Sequence, residues 1–176
     1  HIKEKDFSNE IWLLEHPPVF TLGTAADNSH ILDPKDIPVV QSDRGGEVTY
    51  HGPGQLVIYF LLDIKKLGCG PNKLVVSIQE FIKELLSDLS IESSFIKGAP
   101  GVYVNDKKIA SIGLRISKNK TYHGISINFD MDLKPFTYIN PCGYEGLEVT
   151  QIKDFNRNIS KLQLEELVIE KLRHIF

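Results

Sequence analysis

Cys142 stands between Pro141 and Gly143 in the segment NPCGYEG. A thiol in such a loop can be exposed, and the amide that follows it can approach a ligand; inert cysteines more often pack on a strand or helix face. A nucleophilic thiol needs a base or a cation to populate its thiolate. Lys108, in NDKKIASIG, is a candidate for that role. In a strand starting near residue 107, Lys108, Ala110, Ile112, Leu114 and Ile116 alternate onto one face, and Lys107, Ile109, Ser111, Gly113 and Arg115 onto the other. Lys108 then heads the more apolar face, where desolvation lowers the pKa of an amine. The competing reading is a strand-end lysine that reaches back to solvent, the role expected of Lys107.

The histidines carry two readings each. His51 and Thr49 share one face of EVTYH, just before a Gly-Pro-Gly turn, so His51 is either a base or hydrogen-bond donor at a site or a satisfied structural residue. His123 in YHGIS has the same ambiguity, and His16, ahead of two prolines, reads as structural. No HExxH or paired spacing joins the six histidines and two distant cysteines, which argues against zinc. RGGEVTYHGPG fits neither GxxxxGK[ST] nor GxGxxG, so a phosphate loop has no motif behind it. Arg44 is either an anion holder or half of an ordinary surface ion pair.

These residues sit on elements that the sequence marks out. EIWLLEH (10–16), VFTLG (19–23), PVVQSD (38–43), EVTYH (47–51) and QLVIYFLLDI (55–64) read as strands, the last apolar on both faces as a covered strand should be. Val75, Ile78, Ile82, Leu85 and Leu89 make a helical stripe with Asn72 as its N-cap. GVYVN, KKIASIGLRI and YHGISINFDMDL form an antiparallel set joined at Asn105-Asp106 and Lys118-Asn119-Lys120. A second helix starts after Ser160, in capping-box spacing with Gln163, with Leu164, Leu167, Val168, Leu172 and Ile175 on one side. The expected fold is α/β (α+β): one domain over 1–176 with a mixed, largely antiparallel sheet and a few covering helices.

With 41% apolar and 24% charged residues over 176 positions, the chain has the balance of a globular domain. A formal net charge of −3 without Lys/Arg blocks argues against nucleic acid, and no apolar run is long enough to cross a bilayer. Two cysteines and no leader point to the reducing cytoplasm. His1 rather than Met opens the sequence, so the natural chain is expected to begin earlier.

RGGEVTYHGPGQLVIYFLLDI, GAPGVYVNDKKIASIGLRI, YHGISINFDMDL and FTYINPCGYEG, in this order, resemble the lipoyl(octanoyl) transferases; EHPPVFTLG and IPVVQSDRGG fit the same family upstream. The resemblance runs from Ile11 to Ile152. It implies a fold like the biotin ligase and lipoate–protein ligase catalytic domains. It also implies transfer of an octanoyl or lipoyl group from acyl carrier protein to a lysine of lipoyl domains, those of 2-oxoacid dehydrogenases and the glycine cleavage H protein. Carried over by motif, the thioester-forming cysteine falls on Cys142 and its activating lysine on Lys108. The substrate-contacting segments fall on Arg44, Gly45, Gly46, Glu47, Val48, Thr49, Tyr50 and His51, on Ser111, Ile112 and Gly113, and on Gly124, Ile125 and Ser126. Glu47 stands where the family commonly has Gln, and most of the family's N-terminal segment before HPPVF is missing from this sequence.

The glycine-rich run before the long apolar strand then reads as the wall of an acyl pocket, since an eight-carbon chain offers only one polar group. Lys108 would act as a neutral base, oxyanion donors would come from Gly143 or the 111–113 segment, and neither cofactor nor metal is called for. Lys65, Lys66, Arg115, Lys118 and Lys120 are candidates for a basic rim that steers acidic partners. An ATP-dependent lipoate ligase and a non-catalytic acyl-binding module are the alternatives.

Overall fold

The computed structural model describes residues 8–176. Eleven strands and two α-helices are set out along it, with short 3-10 turns at Asn28–His30, Lys134–Tyr138, Pro141–Gly143 and Ile152–Asp154. The main sheet contains β1 (Glu10–Leu14), β5 (Gln55–Leu61), β6 (Ser94–Ile96), β7 (Ala99–Val104), β8 (Lys107–Ile112) and β11 (Gly124–Asn128). Its order is β1-β5-β11-β8-β7-β6 and every neighbouring pair is antiparallel. A smaller sheet sets β2 (Val19–Leu22) between β3 (Val39–Gln41), parallel to it, and β4 (Val48–His51), antiparallel. β9 (Arg115–Ser117) and β10 (Lys120–Tyr122) make a hairpin.

Period-2 alternation along β5 divides the main sheet into two faces. Leu56, Ile58 and Phe60 point into the larger core with Ile125 and Ile127 of β11, where they meet Leu74, Ile78, Phe81, Ile82 and Leu85 of α1 (Pro71–Asp88) and Leu164, Val168 and Leu172 of α2 (Lys161–Ile175). The opposite face carries Gln55, Val57 and Tyr59, level with Asn128, Ser126 and Gly124 of β11. A second core of Phe20, Val48, Tyr50, Met131, Phe136 and Ile139 anchors the small sheet.

The helix ends differ in how they are capped. Ser160 Oγ accepts from Gln163 N (3.2 Å) while Gln163 Oε1 accepts from Ser160 N (2.9 Å), the reciprocal box expected from the spacing. At α1 the N-cap is Gly70, with Pro71 at the first helical position, and not Asn72, which lies inside the first turn. The expected strand over 107–116 is two strands, broken at Gly113 and Leu114.

β7 and β8 do not pair evenly. Val102 opposes Ala110, but Tyr103 opposes Lys108, so Ile109 is an extra residue: a β-bulge. Val102 and Ala110 face the helices. Past the bulge, Lys108 turns with Tyr103 to the other face. The straight alternation expected from sequence, with Lys108 beside Ala110 and Ile112, is therefore broken.

Candidate active site

The bulge brings Lys108 under the loop that carries Cys142. Lys108 is 2% exposed, and its Nζ donates to Pro100 O (2.8 Å) and to Cys142 Sγ (3.0 Å), with the Tyr103 ring centroid at 5.3 Å. Gly101 makes room for this side chain: its φ is +137°, and a Cβ there would lie 2.8 Å from Lys108 Cε and 2.7 Å from Ala110 O. Burial opposes the charge on Lys108, but the paired Cys142 sulfur and Tyr103 together outweigh it and raise its pKa. The raised pKa keeps the amine protonated near neutrality, whereas desolvation alone would have lowered it.

Cys142 is held in the left-handed region, at φ 56° and ψ 23°, within the Pro141–Gly143 turn. The Asn28–His30 turn supports it: Asn140 N donates to His30 O (2.8 Å), and Ile31 bridges Ile139. A Cβ on Gly143 would come within 3.1 Å of His30 Cε1 and 3.3 Å of Glu47 Cδ. Glu47 is itself engaged by His30 Nδ1 (3.1 Å) and by Asp27 N (3.2 Å), which ties its carboxylate to the Asn28–His30 turn. Of the amides expected to hold an oxyanion, Gly143 N donates to Asn140 O (3.0 Å) and Gly113 N to Gly124 O (2.8 Å) in this structure.

A cavity of about 250 Å³ opens from Cys142 between the two sheets. Arg44 through Thr49, His51, Ser111 through Gly113 and Gly124 through Ser126 all line it. Arg44 is 8% exposed and, among the described residues, has no carboxylate partner: Nε donates to Thr21 Oγ1 (2.9 Å), Nη1 to Gly45 O (2.9 Å), and Nη2 to Thr21 O and Glu47 O (2.6 Å each). Burial lowers its pKa to about 10, which leaves it charged near neutrality. Gly23 faces this guanidinium, where a Cβ would sit 2.7 Å from Nη1. The small residues around Arg44 thus admit a buried cation as well as lining a cavity.

The whole of residues 1–173 matches the lipoyl protein ligase A/B catalytic domain. An octanoyltransferase of Hahella chejuensis is 54% identical over 158 residues, 90% of this chain and 70% of that protein. One from Vesicomyosocius okutanii is 47% identical over 173 residues, 98% and 83% of the two chains. The chain belongs to the octanoyltransferases of the lipoyl protein ligase A/B family.

Solved structures show the same fold at low identity. LipL1 of P. falciparum in complex with lipoate superposes with a TM-score of 0.74 at 18% identity, over 97% of this chain and 51% of that one, so the octanoyltransferase chain spans about half of LipL1. Lipoate-protein ligase A bound with ATP gives 0.72 at 12% identity over 94% and 72%. Biotin protein ligase from Aquifex aeolicus gives 0.54 at 21% identity over 69% and 52%. The α+β class and the biotin ligase-like architecture expected from sequence are those found.

Among the motif residues, Tyr50 stands apart. Its ring turns away from the cavity into the second core, against Phe20 and Phe136. Lys108 reaches Cys142 without lining the cavity. Sequence reasoning passed over Thr21, Val57 and Tyr59, and it took His16 as structural, yet all four line the wall. Alternation along β5 could have found Val57 and Tyr59, which share a face with Gln55. Thr21 and His16 had no local signal, because their positions follow from how the small sheet crosses the large one.

Proposed function

We propose that this octanoyltransferase moves an octanoyl group from a carrier thioester to a lipoyl-domain lysine by way of a Cys142 thioester. The observation behind this reading is the 3.0 Å contact from Lys108 Nζ to Cys142 Sγ at one end of the cavity. In the first step the thiolate attacks the donor carbonyl. The bond from carbon to Cys142 Sγ forms, the bond to the carrier sulfur breaks, and the leaving thiolate takes a proton from the Lys108 ammonium. Lys108, now neutral, accepts the proton that the acceptor amine sheds as its nitrogen attacks the acyl carbon. Cys142 leaves as a thiolate and again faces an ammonium. Exchange of one thioester for another is near neutral and conversion to an amide runs downhill, so the route needs no ATP.

Octanoyl-acyl carrier protein as donor, and lipoyl domains of 2-oxoacid dehydrogenases and H protein as acceptors, fit this chemistry. Two features support docking of acidic domains. Ile64 N donates to Asn119 O (2.9 Å) and Asp63 bridges Lys120, which brings the 65–66 turn beside the β9–β10 tip, where Lys65, Lys66, Lys118 and Lys120 gather. Arg115 continues this basic strip toward the cavity, opposite Tyr122, whose hydroxyl donates to Asp43 at 2.8 Å. Both cysteines are free, as the reducing cytoplasm would keep them. Among the described residues no helix is long and apolar enough to cross a membrane.

Intact mass after mixing with octanoyl-acyl carrier protein tests the reading. One octanoyl adduct is expected on wild type and on Cys69→Ala, and none on Cys142→Ala. An adduct that survives in Cys142→Ala, or transfer from free octanoate that requires ATP, refutes it; the second result marks a ligase.

A further inference from the structure

The reacting pair sits at one end of the cavity, and the other end is not aliphatic. Glu47, just before β4, packs on Gly143, and His51 closes the same strand, so four residues at about 3.3 Å each place His51 roughly 13 Å along the wall from the cysteine loop. The main sheet gives a similar span. Lys108 lies on β8 and Gln55, which bonds His51, lies on β5, with β11 between them; two strand spacings are about 10 Å. Seven zigzag C–C bonds of about 1.5 Å advance roughly 9 Å, so the last carbon of an octanoyl chain held on Cys142 arrives near His51.

What it meets there is a wall of rings. His16 lies 5.6 Å from His51 and 5.9 Å from Tyr59, and His16 Nε2 is 2.6 Å from the Tyr59 hydroxyl; His123 stands edge-on to Tyr59 at 6.0 Å. The state of His51 is set by a chain of amides. Asn128 Nδ2 donates to Thr150 O (2.9 Å), and Gln55 Nε2 donates to Asn128 Oδ1 (2.9 Å) and Tyr50 O (3.2 Å). Two main-chain carbonyls therefore fix which way both amides point. Gln55 Oε1 is left facing His51 Nδ1 at 2.7 Å, so Nδ1 carries the hydrogen and Nε2 a lone pair. Burial lowers the His51 pKa to about 4 and keeps the ring neutral. Among the described residues Nε2 has no hydrogen-bond partner. Ser93 Oγ is the only fully enclosed unpartnered side-chain polar atom among the described residues, so His51 Nε2 is not sealed in protein, and the His51 ring lines the cavity.

We infer that His51 Nε2 reads the tail of the bound acyl chain, accepting a hydrogen bond from a hydroxyl carried on the terminal carbon. The site would then accept ω-hydroxylated medium chains as well as plain octanoyl groups. This places His51 in tail recognition, away from the proton transfers at Cys142. The inference rests on the acyl-transfer reading above.

The test compares two donors of equal length, 8-hydroxyoctanoyl- and nonanoyl-acyl carrier protein, by single-turnover formation of the Cys142 adduct with the full chain. An apolar pocket end favours the methyl group, whereas an acceptor at the end favours the hydroxyl. Wild type is expected to acylate faster with the hydroxylated chain, and His51→Leu to lower that rate ratio about tenfold. Wild type that prefers nonanoyl overturns the inference without any variant, and so does a ratio that His51→Leu leaves unchanged. Absence of any adduct from octanoyl-acyl carrier protein itself would instead sink the acyl-transfer reading.

Discussion

Replacing Lys108 by Ala removes an ammonium 3.0 Å from Cys142 Sγ. At an effective dielectric constant of about 20, two unit charges at that distance attract by roughly 5–6 kcal/mol, worth about four decades in the thiolate equilibrium. Part of that loss is recovered, because Arg44 keeps its positive charge within electrostatic reach of Cys142 and water can enter the space the side chain leaves. Two to four decades of slower acylation are therefore expected in Lys108→Ala, the same range as loss of a general base. The direct assay is alkylation of Cys142 by iodoacetamide across pH, followed by intact mass, alongside single-turnover acylation. The alkylation profile should move to higher pH in Lys108→Ala. Lys107→Ala should stay within a few-fold of wild type, because Lys107 pairs with Glu148 at 3.2 Å on the exposed side, away from the thiol. Equal losses from the two substitutions, or an alkylation profile that Lys108→Ala leaves in place, would remove Lys108 from the chemistry.

Gly101→Ala should slow acylation at least tenfold, because the new methyl group would collide with the Lys108 side chain and occupy a backbone with φ +137°; a far-ultraviolet dichroism spectrum like wild type would separate this from unfolding. His51 binds its proton less readily folded than unfolded, so the unfolded chain takes up more protons between pH 6.5 and about 4, and stability falls as pH drops through that window. Urea midpoints from pH 7 to 4.5 should fall less in His51→Gln than in wild type, by up to about 3 kcal/mol; parallel curves would show that His51 is not held neutral. Ser160→Ala should cost about 1 kcal/mol by urea denaturation through loss of the α2 capping box, with acylation unaffected.

Local signals carried much of this architecture. The Ser160–Gln163 spacing, the apolar stripe of α1 and the turns at Asn105-Asp106 and Lys118-Asn119, all four at positive φ, follow from interactions within a few residues. The cavity wall was legible where motifs lie in continuous runs, from Arg44 to His51 and at 111–113 and 124–126. What stayed hidden depends on two segments meeting. Ile109 has nothing in its neighbourhood to mark it as extra; only pairing with β7 does so. The ammonium state of Lys108 likewise depends on a sulfur 34 positions away, and burial considered alone gives the opposite sign. The open nitrogen of His51 needs Asn128 and Thr150, far along the chain, to set its tautomer.

The bulge at Ile109 also bears on how such a site tolerates change in length. β8 pairs with β11 through Ala110, Ser111 and Ile112, and with β7 through Lys107, Lys108 and Ala110, so the irregular step falls inside the β7–β8 ladder. Deleting Ile109 would make Lys108 the neighbour of Ala110 and leave it on the Tyr103 side, whereas closing the bulge with every residue kept would set Lys108 two positions from Ala110 and swing it to the helix side, away from Cys142. In that unbulged pairing the sheet would be more regular and the thiol would lose its cation. An exchange of one side chain for another at Ile109 changes only packing, and the loss of a single codon there would still leave Lys108 opposite Tyr103; a slip of β8 against β7 by one residue would not. In this chain the reach of Lys108 to Cys142 is stored in the register of β8 against β7 as much as in the identity of either residue.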